Sequence, residues 1–248
     1  MPLQGMTDHT RIQRIGVLGG TFNPVHIGHV RFALELAERL QSDRFLLMPS
    51  ANPPHKEANG LLPFDLRCRL LEAAITNLAP LELCRLEGER SAPSYTWDTL
   101  GLLREANPNA ELFFGLGCED FPQLPFWKNG PTLPLRAHLC IVPRGAGDEA
   151  LFLSTAHGIW PGALPHPPLE GARHTLLLTD TGKETGFISY FDIPLLPVSS
   201  TRLRRHWLAG GDMRQLLPEA ELALLEAQRP AIKEVWEGHA LEAGCTFR

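Results

Sequence analysis

Two histidines, His26 and His29, stand just behind a glycine pair in the stretch Gly16-Val-Leu-Gly-Gly-Thr-Phe-Asn-Pro-Val-His-Ile-Gly-His29. Imidazoles donate hydrogen bonds to oxygens, and a three-residue spacing can put both on one face of a helical turn. A strand breaking at Gly19-Gly20 before a helix presents free backbone N–H groups and the positive end of a dipole. Together these suit an anion with many oxygens, a polyphosphate rather than a bare carboxylate. A metal pair or ordinary helix-start histidines are the plainer readings of that spacing. A second cluster, Val198-Ser-Ser-Thr-Arg-Leu-Arg204, offers the hydroxyls and N–H groups of Ser199, Ser200 and Thr201, with Arg204 one turn on. Alone it reads as a plain helix cap. In Asn52-Pro-Pro-His-Lys56, two prolines stiffen a polar loop and offer His55 and Lys56 to a phosphate. The lysine-bearing phosphate loop and the three-glycine dinucleotide fingerprint are both absent. No nucleophile lies beside a base.

The elements that position these groups follow from hydrophobic periodicity. Short apolar runs predict strands at 15–18, 44–49, 81–85, 111–116, 137–142 and 187–193. Helical spacing predicts helices over 30–40, 64–78, 94–105, 198–208 and 218–227, the third capped by Ser94 or a neighbour. Strands alternating with helices imply an α/β fold: a doubly wound, Rossmann-like, mostly parallel sheet with helices on both faces. In such sheets ligands sit beyond the carboxyl ends of the strands. The loops at 19–29, 50–56, 117–120 and 143–144 fall there and are expected to converge. Residues 1–11 read as a flexible leader, 12–230 as a single domain and 231–248 as a C-terminal tail. Gly145 to Gly186 reads as an irregular excursion with a short helix and a strand around Thr175–Thr179.

Composition narrows the function classes. With 248 residues, 44% hydrophobic and 21% charged, the chain can bury a substantial core and is not globally disordered. A net charge of −5 argues against a nucleic-acid surface as its main business. The five cysteines are scattered, with no Cys-x-x-Cys pair, which reads as reduced thiols in the cytoplasm. No apolar run is long enough to cross a membrane.

The combination Gly-Gly-Thr-Phe-Asn-Pro-x-His-x-Gly-His resembles the signature of nucleotidyltransferases with a (His/Thr)-x-Gly-His motif, and more closely that of bacterial nicotinate-mononucleotide adenylyltransferases. The usual form there has Asp where this chain has Asn23. The resemblance implies adenylyl transfer from ATP to nicotinate mononucleotide, giving deamido-NAD and pyrophosphate, with Mg2+ arriving with ATP. It implies that His26, His29, Gly28 and Arg204 act on the ATP phosphates, that Gly19, Gly20, Thr21 and Phe22 line the substrate pockets, and that Ser199, Ser200 and Thr201 hold the phosphates. Asn52, His55 and Lys56 match the mononucleotide-facing loop. Pro93-Ser-Tyr-Thr resembles the segment whose N–H groups, around Ser94, Tyr95 and Thr96, receive the nicotinate carboxylate. Trp127 matches a tryptophan stacked on the pyridine ring. After Gly117 the family carries one Asp, and here either Glu119 or Asp120 is the corresponding acid. Two rivals stand beside this reading: a sister enzyme acting on the amide mononucleotide or phosphopantetheine, and a sensing module that binds nucleotide without turnover.

Overall fold

The computed structural model describes residues 11–52, 60–90, 93–143, 148–180, 183–194 and 196–242. In chain order the elements are β1 (Arg14–Gly20), α1 (Ile27–Arg39), β2 (Arg44–Pro49), α2 (Phe64–Ala74), β3 (Leu81–Leu83), α3 (Thr96–Ala106), β4 (Glu111–Gly117), β5 (His138–Val142), α4 (Asp148–Ile159), β6 (Leu164–His166), β7 (His174–Asp180), β8 (Lys183–Tyr190), α5 (Ser200–Leu208), α6 (Glu219–Ala227) and α7 (Arg229–Glu242). One eight-stranded sheet runs β3-β2-β1-β4-β5-β8-β7-β6. It is parallel from β3 to β8, and β7 and β6 close it antiparallel.

Both faces of the sheet are covered, and the strands alternate between two cores. Ile15 and Val17 of β1, Leu46 and Met48 of β2, and Leu112, Phe114 and Leu116 of β4 join one core with residues of α3 and α4. Leu18, Phe45, Leu47 and Phe113 point the other way, into a core shared with α1, α2 and α5–α7. Burial on both faces explains why these strands read as continuous apolar runs. A Cβ on Gly115 of β4 would come within 2.8 Å of the Phe32 ring, so glycine there lets α1 lie close on the sheet.

From β1 the chain winds outward to β3 and then returns to place β4 on the other side of β1. That reversal opens a crevice at the carboxyl ends of β1 and β4, where doubly wound sheets bind ligands.

Several expectations are corrected. The helix predicted from Val30 starts at Ile27, because His26 caps it: its Nδ1 accepts the His29 N–H. The helix predicted to run to Leu78 ends at Ala74, and Asn77, in the left-handed region, turns the chain away. Ser94 does not cap α3. Its Oγ accepts the N–H groups of Ala51 and Asn52 instead, tying the loop after β2 to the entry of α3. The excursion at 145–186 holds the expected helix and strand, as α4 and β7, and adds β6 and the start of β8. The strand predicted over 187–193 is β8 and starts at Lys183, drawn earlier by pairing with β7. Of the expected leader, residues 1–10 lie outside the described residues, and Arg11 pairs with Asp43.

The expected tail begins inside α7, whose Ile232 and Trp236 are buried. The Trp207 ring of α5 meets Trp236 edge-on at 5.1 Å, lies under the Arg229 guanidinium at 4.3 Å, and donates its Nε1–H to Glu226 at 2.8 Å. Glu226 also accepts from Arg229. Helix α5 is therefore anchored by the two helices that follow it, and losing a buried tryptophan of this kind costs roughly 3–5 kcal/mol. No helix among the described residues is long and apolar enough to cross a membrane.

Glu221 of α6 is fully buried, and neither carboxylate oxygen has a hydrogen-bond partner among the described residues. Burial holds its pKa well above the usual carboxylate range. The folded state therefore binds this proton more tightly than the unfolded chain. Its contribution to stability is complete below the ordinary carboxylate pKa and is lost as pH rises through the raised one. Glu221→Gln is expected to melt higher than the parent at pH 8, by about 2–4 °C for each kcal/mol recovered, with the gap closing by pH 5. Thermal melts at the two pH values check this.

Candidate active site

The crevice widens into a cleft of about 960 Å³ lined from the ends of β1, β2 and β4, the entries of α1, α3 and α5, and Trp127. Its centre is the β1 turn. There Gly20 O accepts the Ser50 N–H at 2.8 Å, joining the ends of β1 and β2. Phe22 sits in the left-handed region at φ 47°, a conformation that costs a non-glycine residue energy and persists only where neighbours fix it. Its ring, 2% exposed, packs edge-on against His29 at 5.0 Å.

The two imidazoles are stacked, with centroids 3.7 Å apart. Because His26 Nδ1 accepts the His29 N–H, neutral His26 carries its hydrogen on Nε2, as a donor. Gly28 leaves room for this ring, since a Cβ there would stand 3.0 Å from His26 Nδ1. Opposite, Ser199 caps α5 by accepting the Arg202 N–H, at 3.4 Å. Ser200 Oγ donates to Pro24 O at 2.9 Å. Arg204 donates to Asn23 O at 2.8 Å and to Thr201 Oγ1 at 3.4 Å. Burial lowers the Arg204 pKa from its ordinary value, with Arg205 adding to it, but a guanidinium stays charged. The glycine-histidine turn and the Ser-Ser-Thr-Arg helix are thus bonded directly to each other on one wall of the cleft.

Of the residues singled out from sequence, Gly19, Gly20, Thr21, Phe22, His26, Gly28, His29, Ser94, Thr96, Gly117, Trp127, Ser199, Ser200, Thr201 and Arg204 line this cleft. Glu119 and Asp120 both line it, and both are exposed at its lip. The side chains of Asn52 and Tyr95 do not. Asn52 works through its backbone, giving its N–H to Ser94 Oγ and accepting the Ser94 N–H, and the Tyr95 ring lies under Lys128 Nζ at 4.9 Å. His55 and Lys56 lie outside the described residues. Among the described residues no cluster of three His, Cys, Asp or Glu could hold a metal ion. Cys118, beside the acids, is buried, and burial pushes its thiol up to about 11, so it is no nucleophile at neutral pH.

Sequence reasoning gives no role to three groups at or beneath the cleft, one of which, Asn23, it notes only as a departure from the family. The Asn23 amide is buried, donating to Gly60 O at 2.7 Å and accepting the Leu62 N–H at 3.1 Å. Arg67 of α2 is 1% exposed and donates to Leu62 O and Thr21 O at 2.9 and 2.7 Å. Glu87 is buried in the cleft wall and accepts the Thr99 hydroxyl at 3.0 Å. Arg67 sits on an apolar helix face where periodicity asks for a hydrophobe. A charge at such a position was the available signal.

Residues 17–206 match the model of the cytidylyltransferase-like family. The fold and its cleft define a nucleotidyltransferase. Proteins named "probable nicotinate-nucleotide adenylyltransferase" are similar over nearly their whole length. The one from Pelobacter propionicus is 34% identical over 87% of this chain and 97% of its own. That from Pseudomonas fluorescens is 37% identical, covering 87% of this chain and 95% of its own. The chain belongs to the nicotinate-nucleotide adenylyltransferases, enzymes of NAD biosynthesis. The fold is also that of Plasmodium falciparum nicotinic acid mononucleotide adenylyltransferase complexed with NaAD, with a TM-score of 0.66, 18% identity, and coverage of 90% of this chain and 98% of that one.

The amide at position 23, where the resembling family usually has an acid, has a structural reason here: Gly60 O needs a donor. Asn23→Asp is expected to cost about 1–3 kcal/mol at pH 8, since a carboxylate facing that carbonyl cannot donate. The deficit shrinks toward pH 5 as the introduced group, its pKa raised by burial, takes up a proton. Denaturant titrations at both pH values check this.

Proposed function

We propose that the cleft binds ATP across the β1 turn and α5, and nicotinate mononucleotide between α3 and Trp127. The mononucleotide 5′-phosphate oxygen then attacks the α-phosphorus of ATP in line. One P–O bond forms, the α–β bridging P–O bond breaks, and pyrophosphate leaves with the electron pair. The observation that carries this reading is the direct bonding of the histidine turn to the N-terminus of α5, by Ser200 to Pro24 O and Arg204 to Asn23 O. It supplies imidazole donors, helix N–H groups and a guanidinium around one anion. Phosphoryl chemistry of this kind needs positioning and charge neutralisation rather than a protein nucleophile.

On the other side, Tyr95 N–H is committed to Pro93 O, at 3.0 Å. The first turn of α3 therefore offers the N–H groups of Thr96 and Trp97 to the pyridine's carboxylate. An amide in that place gains nothing from the helix dipole. Trp127 stacks on the ring, which is worth about 1–3 kcal/mol for a base. Magnesium binds through one or two carboxylates and substrate phosphates, and the exposed Glu119 and Asp120 fit that donor set. Such an ion neutralises phosphate charge when bound. The reaction belongs to the cytoplasm, in keeping with four described cysteines that are all free thiols. Residues 12–230, extended through α7 to Glu242, act as one catalytic domain.

His29→Ala is expected to lower kcat by about 100- to 1,000-fold with the fold intact, read by pyrophosphate release and circular dichroism. Near-normal turnover removes His29 from the mechanism. The parent is expected to prefer nicotinate over nicotinamide mononucleotide by about 100-fold or more in kcat/KM. A preference for the amide overturns the assignment of the α3 entry.

A further inference from the structure

Arg67 belongs to none of the motifs above, yet its side chain is buried under the cleft floor at 1% exposure. Its guanidinium bridges two carbonyls from different loops. Nη1 donates to Thr21 O at 2.7 Å, in the turn after β1, and Nε donates to Leu62 O at 2.9 Å, in the segment that enters α2. The Thr21 carbonyl belongs to the peptide that leads into Phe22, the residue held at φ 47°. One cation thus fixes a peptide plane beside a strained residue and the position of a neighbouring loop. Burying a guanidinium is costly, and an apolar side chain of similar length would fill the space at lower cost. A charge kept there calls for a reason other than packing.

We propose that Arg67 is a positioning residue of the adenylyl transfer, a clip that sets the spacing between the ATP-side turn and the mononucleotide side of the cleft. This rests on the assignment of the two sides given above. The two ends of the clip are not equally secured. The turn is held independently by Arg204 on Asn23 O and Ser200 on Pro24 O. Gly60 and Leu61 line the cleft, and Gly60 and Leu62 are hydrogen-bonded among the described residues to Asn23 and Arg67. When the clip is cut, the turn keeps both of those bonds, while segment 60–62 is left, among the described residues, with its two bonds to Asn23 and gains freedom to shift. The defect therefore falls on the mononucleotide rather than on ATP.

The test is steady-state kinetics of the full chain with each substrate varied in turn, for Arg67→Met and Arg67→Lys. Methionine is unbranched and flexible like arginine, though shorter, and has no donors. Lysine keeps the charge but lacks the rigid planar fork that sets two donors at a fixed spacing. Arg67→Met is expected to raise KM for nicotinate mononucleotide about 10-fold or more and to lower kcat about 10- to 100-fold, with KM for ATP within about threefold of the parent. Arg67→Lys is expected to fall between. A merely structural role would lower the active fraction, reducing kcat with both KM values unchanged, and that result overturns the proposal. So does parent-like turnover in Arg67→Lys, which decides the matter alone if Arg67→Met does not fold. Failure of the ATP-side assignment shows separately, as retained turnover in His29→Ala, whatever the Arg67 variants do.

Discussion

The structure depends on a short set of hydrogen bonds between segments far apart in sequence: Arg204 to Asn23 O, and Ser200 to Pro24 O. Neither the β1 turn nor the start of α5 makes a polyphosphate site alone. A turn with two imidazoles lacks a permanent charge, and a capped helix start lacks a second wall. Bonded together, they form one wall of the cleft, and on the proposed reading its donors are fixed in position before the anion arrives. Ordering is thus done at folding rather than at binding, which favours both affinity and reaction. The same need explains the C-terminal helices. Trp207, held by Trp236, Arg229 and Glu226, keeps α5 at the angle where Arg204 reaches the turn.

Several polar side chains near the cleft act on the backbone. Ser94 and Ser200 both use their hydroxyls on main-chain groups, joining loop to loop, and Asn23 and Arg67 do the same with larger polar groups. In this arrangement polar residues near the site hold the loops, and the loops present N–H groups. A substitution at such a residue changes geometry before it changes charge.

How far the sequence disclosed this differs by element. The parallel strands were legible because burial on both faces leaves apolar runs, as in Phe45–Met48 and Leu112–Leu116. The histidine turn and the Ser-Ser-Thr-Arg helix were legible because their residue types are rare in combination. The segment between β5 and β8 was legible only in part: a short helix and a strand were expected there and are α4 and β7, while β6 was not read. Every residue of β6 is exposed, and its Leu-Pro-His carries no alternation. The role of α7 was hidden because its contacts are with Trp207, a residue whose partner spacing no local pattern reveals. Ser94 misled for a physical reason: a serine before a helix and a serine bridging loops look alike until the fold brings Ala51 near.

The two outermost strands of the sheet, β3 and β6, are only three residues long each. β6 also carries Pro165 at its middle position, which has no N–H to offer a neighbour. Margins this short give an unfolded or foreign chain little backbone to pair with, a guard against edge-to-edge aggregation. A sheet with so much apolar surface between its layers is thereby kept from growing sideways.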